Sequence, residues 1–281
     1  MSPKRTPNLS LLRGVTFGNR GDYQTWMLAA SGICLILIAA YSLFNVVEEV
    51  IMEDQERRIE HVDLPDFASI GDVRARKQAF FDFLEPFVAE ANREILQERA
   101  EVLKLQQYFE RHQKLSGSRL EALNDYLERY KLEPVETASK RTFERLLLRV
   151  DTIPVSLALA QAAIESGWGT SRFARQGNNL FGMWCYDPGC GIVPKRRPAG
   201  RTYEVAAYES PRQSFYAYLT NLNTNDSYAA LREIRAAFRD ASREPSGHDL
   251  AEGLVRYSQE RWEYVGKVRR MISQNNLDSR T

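Results

Sequence analysis

The sequence predicts a mainly α-helical protein with a small β-hairpin lobe, preceded by one transmembrane helix. Three observations support this fold class. Apolar residues recur at helical spacing in several segments between residues 71 and 275. Residues 191–208 are instead rich in Gly and Pro between β-forming residues, as in a hairpin with a loose tip. Residues 26–47 contain no charged side chain.

The uncharged run would extend about 33 Å as a helix, enough to cross a bilayer. Residues 1–25 carry an excess of basic side chains, whereas residues 48–60 are mainly acidic. This asymmetry predicts a cytoplasmic tail at 1–25, a transmembrane helix at 26–47, and the remaining chain outside the cytoplasm. A cleaved signal peptide is the alternative. We favour the anchor, because the run is long and AAYSLFNVV is a poor cleavage context.

Residues 48–70 are mixed and polar and are interpreted as a linker. A long helix is predicted at 71–112, with Pro86 expected to break or kink it near Leu84. Its apolar stripe suits packing on neighbouring helices, with a coiled-coil dimer as the alternative. Further helices are predicted at 119–130, from 140, at 154–166, from 211 to 222, at 228–238 and at 249–275.

Glu165 is the single acid between residues 161 and 184 and lies in the last turn of the predicted 154–166 helix. The C-terminal end of a helix carries partial negative charge, and the flanking residues Ile164 and Trp168 are poorly solvating. Both effects raise the pKa of a carboxyl group. Glu165 is therefore a candidate proton donor, with an exposed helix-end residue as the alternative.

Composition excludes several function classes. The chain has 38 basic and 37 acidic residues, and no basic block alternates with aromatic residues as in a nucleic-acid binder. The three histidines are far apart and lack metal-ligand spacing, so no metal site and no cofactor are expected.

Residues 161–169 (QAAIESGWG) and 177–182 (GNNLFG) resemble the signature of the bacterial peptidoglycan N-acetylglucosaminidase family. Within that family, MWCYDPGCGIVP and NLNTNDSYAALREIR are most similar to the membrane-anchored Bax-type proteins of Gram-negative bacteria. The resemblance covers roughly residues 147–276. It suggests a glucosaminidase domain at 141–281, with a helical N-terminal part at 71–140.

The resemblance implies a lysozyme-like helical fold in which Glu165 is the catalytic acid. Glycosidases usually need a second group, which the hairpin lobe often contributes in this family. Glu204 is the candidate, because it is the one acid between Cys190 and Tyr208. A solvent-facing strand residue is the alternative role for Glu204, and Asp187 and Glu209 are the other candidates. The acetamide group of the sugar could also replace a second carboxylate.

Amide and aromatic residues after Glu165 are candidates for binding the sugar chain, through hydrogen bonds or by stacking on pyranose rings. They are Asn178, Asn179, Phe181, Trp184, Tyr228 and Tyr257. Taken singly, each aromatic residue fits a core position better than a sugar subsite, but as a group following Glu165 they indicate a cleft. The basic hairpin tip, Lys195, Arg196, Arg197 and Arg201, is either a solvated loop or a contact for an anionic polymer.

Cys185 and Cys190 are expected to form a disulfide outside the cytoplasm. A redox-active pair is less consistent with the sequence, because the spacing is not CxxC and no βαβ pattern surrounds it. The sequence thus predicts a single-pass protein of the bacterial inner membrane, with a periplasmic domain that hydrolyses peptidoglycan glycan strands. A wall-binding scaffold without catalytic activity, which recruits partners through residues 71–113, is the alternative.

Overall fold

Helices form most of the part of the chain that the computed structural model describes, which is residue 41 and residues 64–280. The α-helices are α1 (Val73–His112), α2 (Ser118–Arg129), α3 (Lys140–Arg149), α4 (Val155–Ser166), α5 (Arg172–Gly177), α6 (Pro211–Thr224), α7 (Ala229–Asp240), α8 (Gly247–Ala251) and α9 (Trp262–Gln274). Short 3-10 turns occur at Phe67–Ser69, Asp226–Tyr228, Glu252–Leu254 and Leu277–Ser279.

The predicted cytoplasmic tail, the transmembrane helix apart from residue 41, and most of the linker lie outside the described residues. Within the described residues, no helix combines the length and the apolar character that crossing a bilayer requires.

Helix α1 begins at the cap Asp72, whose side chain accepts a hydrogen bond of 2.7 Å from the Ala75 amide. Of the break or kink predicted near Leu84, the break is wrong, since α1 runs through Pro86 to His112. The buried residues of the stripe lie on both sides of Pro86, namely Phe80, Leu84, Phe87, Ala91, Ile95 and Val102. Packing on both sides of the proline therefore holds the helix together despite the lost backbone hydrogen bond.

The segments 71–140 and 141–281 share one hydrophobic core. Asn92 of α1 binds the backbone of Ile153 just before α4, donating to its carbonyl at 2.7 Å and accepting from its amide at 3.0 Å. These contacts attach the helical N-terminal part to the segment that begins α4.

Helix α4 lies at the centre of the fold, and nine of its 12 residues are buried. A helix that is apolar on all sides is typical of such a position. It ends where Gly167 adopts a left-handed backbone conformation with φ 57°. Gly169 follows with φ 73°, and a Cβ atom there would lie 2.8 Å from the Phe67 ring. The tight turn after α4 therefore depends on glycine at both positions.

The single helix predicted at 249–275 is wrong. Helix α8 ends at Ala251, and α9 starts only at Trp262, after an irregular segment that closes with Arg261 at φ 50°. The interruption places the ring of Tyr257 parallel to that of Tyr264, with centroids 5.2 Å apart.

Three short antiparallel strands form the β lobe: β1 (Trp184–Cys185), β2 (Gly191–Ile192) and β3 (Glu204–Ala206). Strand β3 lies in the centre, pairing Val205 with both Trp184 and Ile192. The predicted hairpin is thus present as β2 and β3. The third strand was missed, because two residues give no period-2 pattern.

Candidate active site

Glu165 is half-buried in the last turn of α4. The hydroxyl of Tyr264, in the first turn of α9, donates a hydrogen bond of 2.6 Å to its Oε1 atom. Burial raises the pKa of Glu165 above its ordinary value, and the charge of nearby Glu260 raises it further, whereas the Tyr264 hydrogen bond lowers it. The net pKa is raised, as predicted for a proton donor.

A chain of buried hydrogen bonds orients Tyr264. Gln161, one helical turn before Glu165, donates from Nε2 to the Tyr264 hydroxyl at 2.9 Å. Tyr218 of α6 donates in turn to Oε1 of Gln161 at 2.5 Å. Because Gln161 fills the acceptor position of the Tyr264 hydroxyl, that hydroxyl proton must point toward Glu165.

The second carboxyl oxygen of Glu165, Oε2, receives no hydrogen bond from any described residue. One oxygen of Glu165 is therefore fixed by the protein, and the other remains for a ligand. This is the arrangement that a general acid requires, because the proton must be presented to an oxygen atom of the substrate.

Two of the aromatic candidates, Tyr228 and Tyr257, pack in a cluster of tyrosine rings with Tyr264. Tyr257 stacks on Tyr264, and its hydroxyl donates to the Phe181 carbonyl at 3.2 Å. Tyr228 is only 7% exposed and lies beside Tyr257. Tyr228 therefore offers no open ring face for a sugar, and one face of Tyr257 is already covered.

The structure argues against the predicted sugar contacts of Asn179 and Phe181. Asn179 is buried, and its amide donates to the carbonyls of Met183 and Ala206 while its oxygen accepts from the amide of Met183. Phe181 is 3% exposed and stacks at 3.9 Å on Tyr218. Both side chains hold the lobe against the helices and leave nothing free for a ligand.

Asn178 follows the end of α5 in a left-handed conformation and is partly exposed. Its side-chain amide donates to the Tyr208 carbonyl at 3.1 Å, so its side-chain oxygen is the atom left for a ligand. Trp184 in β1 is 50% exposed and packs at about a right angle to the Tyr203 ring, so half of its surface remains accessible to a ligand. Tyr186 and Trp262 are exposed as well, and the sequence prediction missed them. Trp262 precedes Tyr264 by two residues, which places it close to the Glu165 partner.

Glu204 is buried at 7% exposure, so the solvent-facing alternative is wrong. Its two carboxylate oxygens accept hydrogen bonds from the backbone amides of Gly189 and Gly191, at 3.2 and 2.9 Å. Both amides belong to the loop that the disulfide closes or to the residue that follows it. These contacts favour a structural role for Glu204 over the predicted catalytic one.

The predicted disulfide between Cys185 and Cys190 is present. Its sulfur atoms and the Glu204 carboxylate form a group of possible metal ligands within 4.8 Å of one another. Because both sulfurs are consumed by the disulfide, this group lacks the thiolates that a metal would need.

Other acids near the site differ in their availability. Glu209 binds Gln213 through both its backbone amide and its carboxylate. Glu260, missed from the sequence, lies close enough for its charge to raise the pKa of Glu165 and pairs with Lys267 at 2.6 Å.

At the basic tip, Arg197 donates to the carbonyls of Thr202 and Tyr203 and stabilises the loop.

Comparison with known proteins gives similarities to a family, to a curated relative and to a solved structure. The glucosaminidase family, described as mannosyl-glycoprotein endo-beta-N-acetylglucosaminidase, matches residues 140–277. Protein bax of Escherichia coli strain K12 is 35% identical over 195 residues, which are 69% of this chain and 68% of that protein. The crystal structure of the catalytic domain of the autolysin Auto from Listeria monocytogenes shares 17% identity, with a TM-score of 0.37 over 83% of this chain and 97% of that one.

The matched family segment begins at α3 and extends to the last 3-10 turn, so it includes α4, the β lobe and α9. Glu165 and its partner Tyr264 both lie within it. The family match and the similarity to Protein bax show that this chain belongs to the glucosaminidase family of glycoside hydrolases.

Proposed function

We propose that this protein is a peptidoglycan hydrolase that cleaves the β-1,4 bond between N-acetylglucosamine and N-acetylmuramic acid, with Glu165 as the proton donor. The observation that carries the proposal is the state of Glu165. Its pKa is raised by burial, one oxygen is held by Tyr264, and the other is free. The choice of peptidoglycan rests on the ESGWG and GNNLFG motifs and on the family membership.

The developing positive charge on the sugar needs a second group. Since both oxygens of Glu204 already bind backbone amides, we propose that the acetamide of the substrate fills this role. Glu204 then acts by shaping the lobe that carries Trp184. In this mechanism Glu165 protonates the leaving oxygen while the acetamide attacks the anomeric carbon, and water later opens the resulting ring.

The location is likewise a proposal. A transmembrane helix at 26–47 with a cytoplasmic tail would place the hydrolase domain in the periplasm, next to its polymer. The disulfide between Cys185 and Cys190 supports an oxidising compartment.

Digestion of purified sacculi tests the proposed function directly. The full-length protein, kept in detergent because of residues 26–47, is incubated with sacculi, and the new reducing ends are identified by mass spectrometry. N-acetylglucosamine ends are expected. N-acetylmuramic acid ends would refute the assigned bond, and the absence of products from folded protein would favour the scaffold. The Glu165→Gln protein serves as the matched control.

A further inference from the structure

A polar cavity of about 480 Å³ lies between the first turns of α1 and the C-terminal segment 274–280. Such a volume falls in the range of small-ligand sites, about 300–1,000 Å³. Much of its lining comes from Arg74, Lys77 and Phe81 of α1, which precede the family-matched residues 140–277. The glucosaminidase domain alone therefore does not complete this cavity.

The charge of the cavity is positive. Arg280 is neutralised by Asp82 and Glu85. Arg74 and Lys77, in contrast, form no ion pair with another described residue, and Lys77 instead lies 4.9 Å above the ring of Trp168. Two cations thus remain for a negatively charged ligand.

Amide side chains form the opposite wall. Asn275 donates to the Met271 carbonyl, so its side-chain oxygen is left as an acceptor, and Gln274 has no described side-chain partner. Amides offer both donors and acceptors, which suits a ligand rich in hydroxyl and acetamido groups. These amides favour an organic ligand over an inorganic ion, which the two cations alone could bind.

Trp168 connects the cavity to the catalytic helix. It lies three residues after Glu165, and its ring packs edge-on against Phe81, a residue of the cavity lining. Lys77 touches the same ring. A ligand held in the cavity is therefore adjacent to the turn that follows Glu165.

We propose that this cavity is a secondary binding site for a carboxylate-bearing amino-sugar strand, with Arg74 and Lys77 as the residues that recognise the carboxylates. The proposal rests on the proposed function and extends it, because it makes α1 part of substrate selection. It predicts preference for the anionic polymer over a neutral one of the same backbone, and a preference that weakens as salt screens the charges.

The test measures binding rather than turnover. Full-length Glu165→Gln protein in detergent is titrated with solubilised peptide-bearing glycan strands and with neutral N-acetylglucosamine oligomers of equal length. The double variant Arg74→Glu, Lys77→Glu should bind the anionic strands about tenfold more weakly at low salt and the neutral oligomers unchanged. The double variant Arg111→Glu, Lys114→Glu, an equal reversal at the far end of α1, should leave both affinities unchanged.

Unchanged binding of the anionic strands, or an equal loss for both ligands in a variant with the parental melting temperature, would overturn the proposal. If the double variant loses binding to vesicles that contain anionic lipid but keeps its binding to the strands, Arg74 and Lys77 contact the membrane surface and the proposal is overturned. If the parent digests no sacculi but the charge-dependent strand binding persists, the proposed function fails while the cavity assignment stands.

Discussion

Removing one hydroxyl, by Tyr264→Phe, tests whether the protein sets the protonation of Glu165. That hydroxyl donates to Oε1 of Glu165 at 2.6 Å and therefore stabilises the carboxylate form. Its loss should raise the already elevated pKa of Glu165 further. A general acid must carry its proton, so the alkaline limb of the kcat/KM profile should move to higher pH.

The size of the shift follows from the hydrogen bond. A hydrogen bond to a charged group contributes about 1.5–3 kcal/mol, and one pKa unit corresponds to about 1.4 kcal/mol. Because Glu165 is only half-buried, the lower end applies, and we expect a shift of about one unit. The variant also leaves the buried Nε2 of Gln161 without its acceptor, which should lower the free energy of unfolding by about 1–3 kcal/mol.

The assay is the release of soluble fragments from sacculi across pH, at a temperature well below the melting transition of the variant. Tyr257→Phe is the matched control, because it removes a hydroxyl that binds the Phe181 carbonyl and leaves the Glu165 bond intact. An alkaline limb that stays in place for Tyr264→Phe, or moves to lower pH, would refute the role given to Tyr264. So would an equal shift in the control.

Four further predictions follow from the same contacts. Glu165→Gln should reduce sacculus digestion at least about a hundredfold. Its melting temperature should be unchanged or higher at pH 7, because a raised folded-state pKa destabilises the ionised form, and this gain should vanish below about pH 4, near the unfolded pKa. Glu204→Gln should lower the stability by about 1–2 kcal/mol, since one oxygen that accepts from the loop is lost; a hundredfold loss of activity at unchanged melting temperature would restore its catalytic assignment. Cys185→Ser should lower the free energy of unfolding by about 2 kcal/mol in the loop-entropy model. The intact mass of the parental protein, measured after alkylation with and without prior reduction, shows whether the bridge is present. A C-terminal alkaline phosphatase fusion to the full chain should be active, whereas activity of a cytoplasmic reporter would contradict the proposed topology.

The helices were predictable wherever the chain carries its own start and stop signals. Ser139 caps α3 through its side chain, and Gly167 ends α4 in a left-handed conformation. The interruption between α8 and α9 coincides with a close tertiary contact. A Cβ atom at Gly253 would lie 2.3 Å from Cα of Leu231, so this glycine permits α7 to approach closely. The helical spacing of residues 249–275 contains no sign of this contact, and helix propensity is readily overridden by tertiary packing.

The same distinction between local signals and tertiary contacts applies to the candidate site. Glu165 was predictable, because helix end, apolar neighbours and motif are all local to it. Tyr264 was not, since it lies 99 residues away and reaches Glu165 only through the break before α9. Residue type alone does not assign the partner of Asn179, because an amide that suits a sugar suits a backbone carbonyl equally well. Which partner it takes is decided by burial, and burial depends on the packing of the β lobe against α5 and α6. The sequence thus suffices to propose Glu165 as the proton donor, whereas the groups that adjust its pKa are brought together only by the fold.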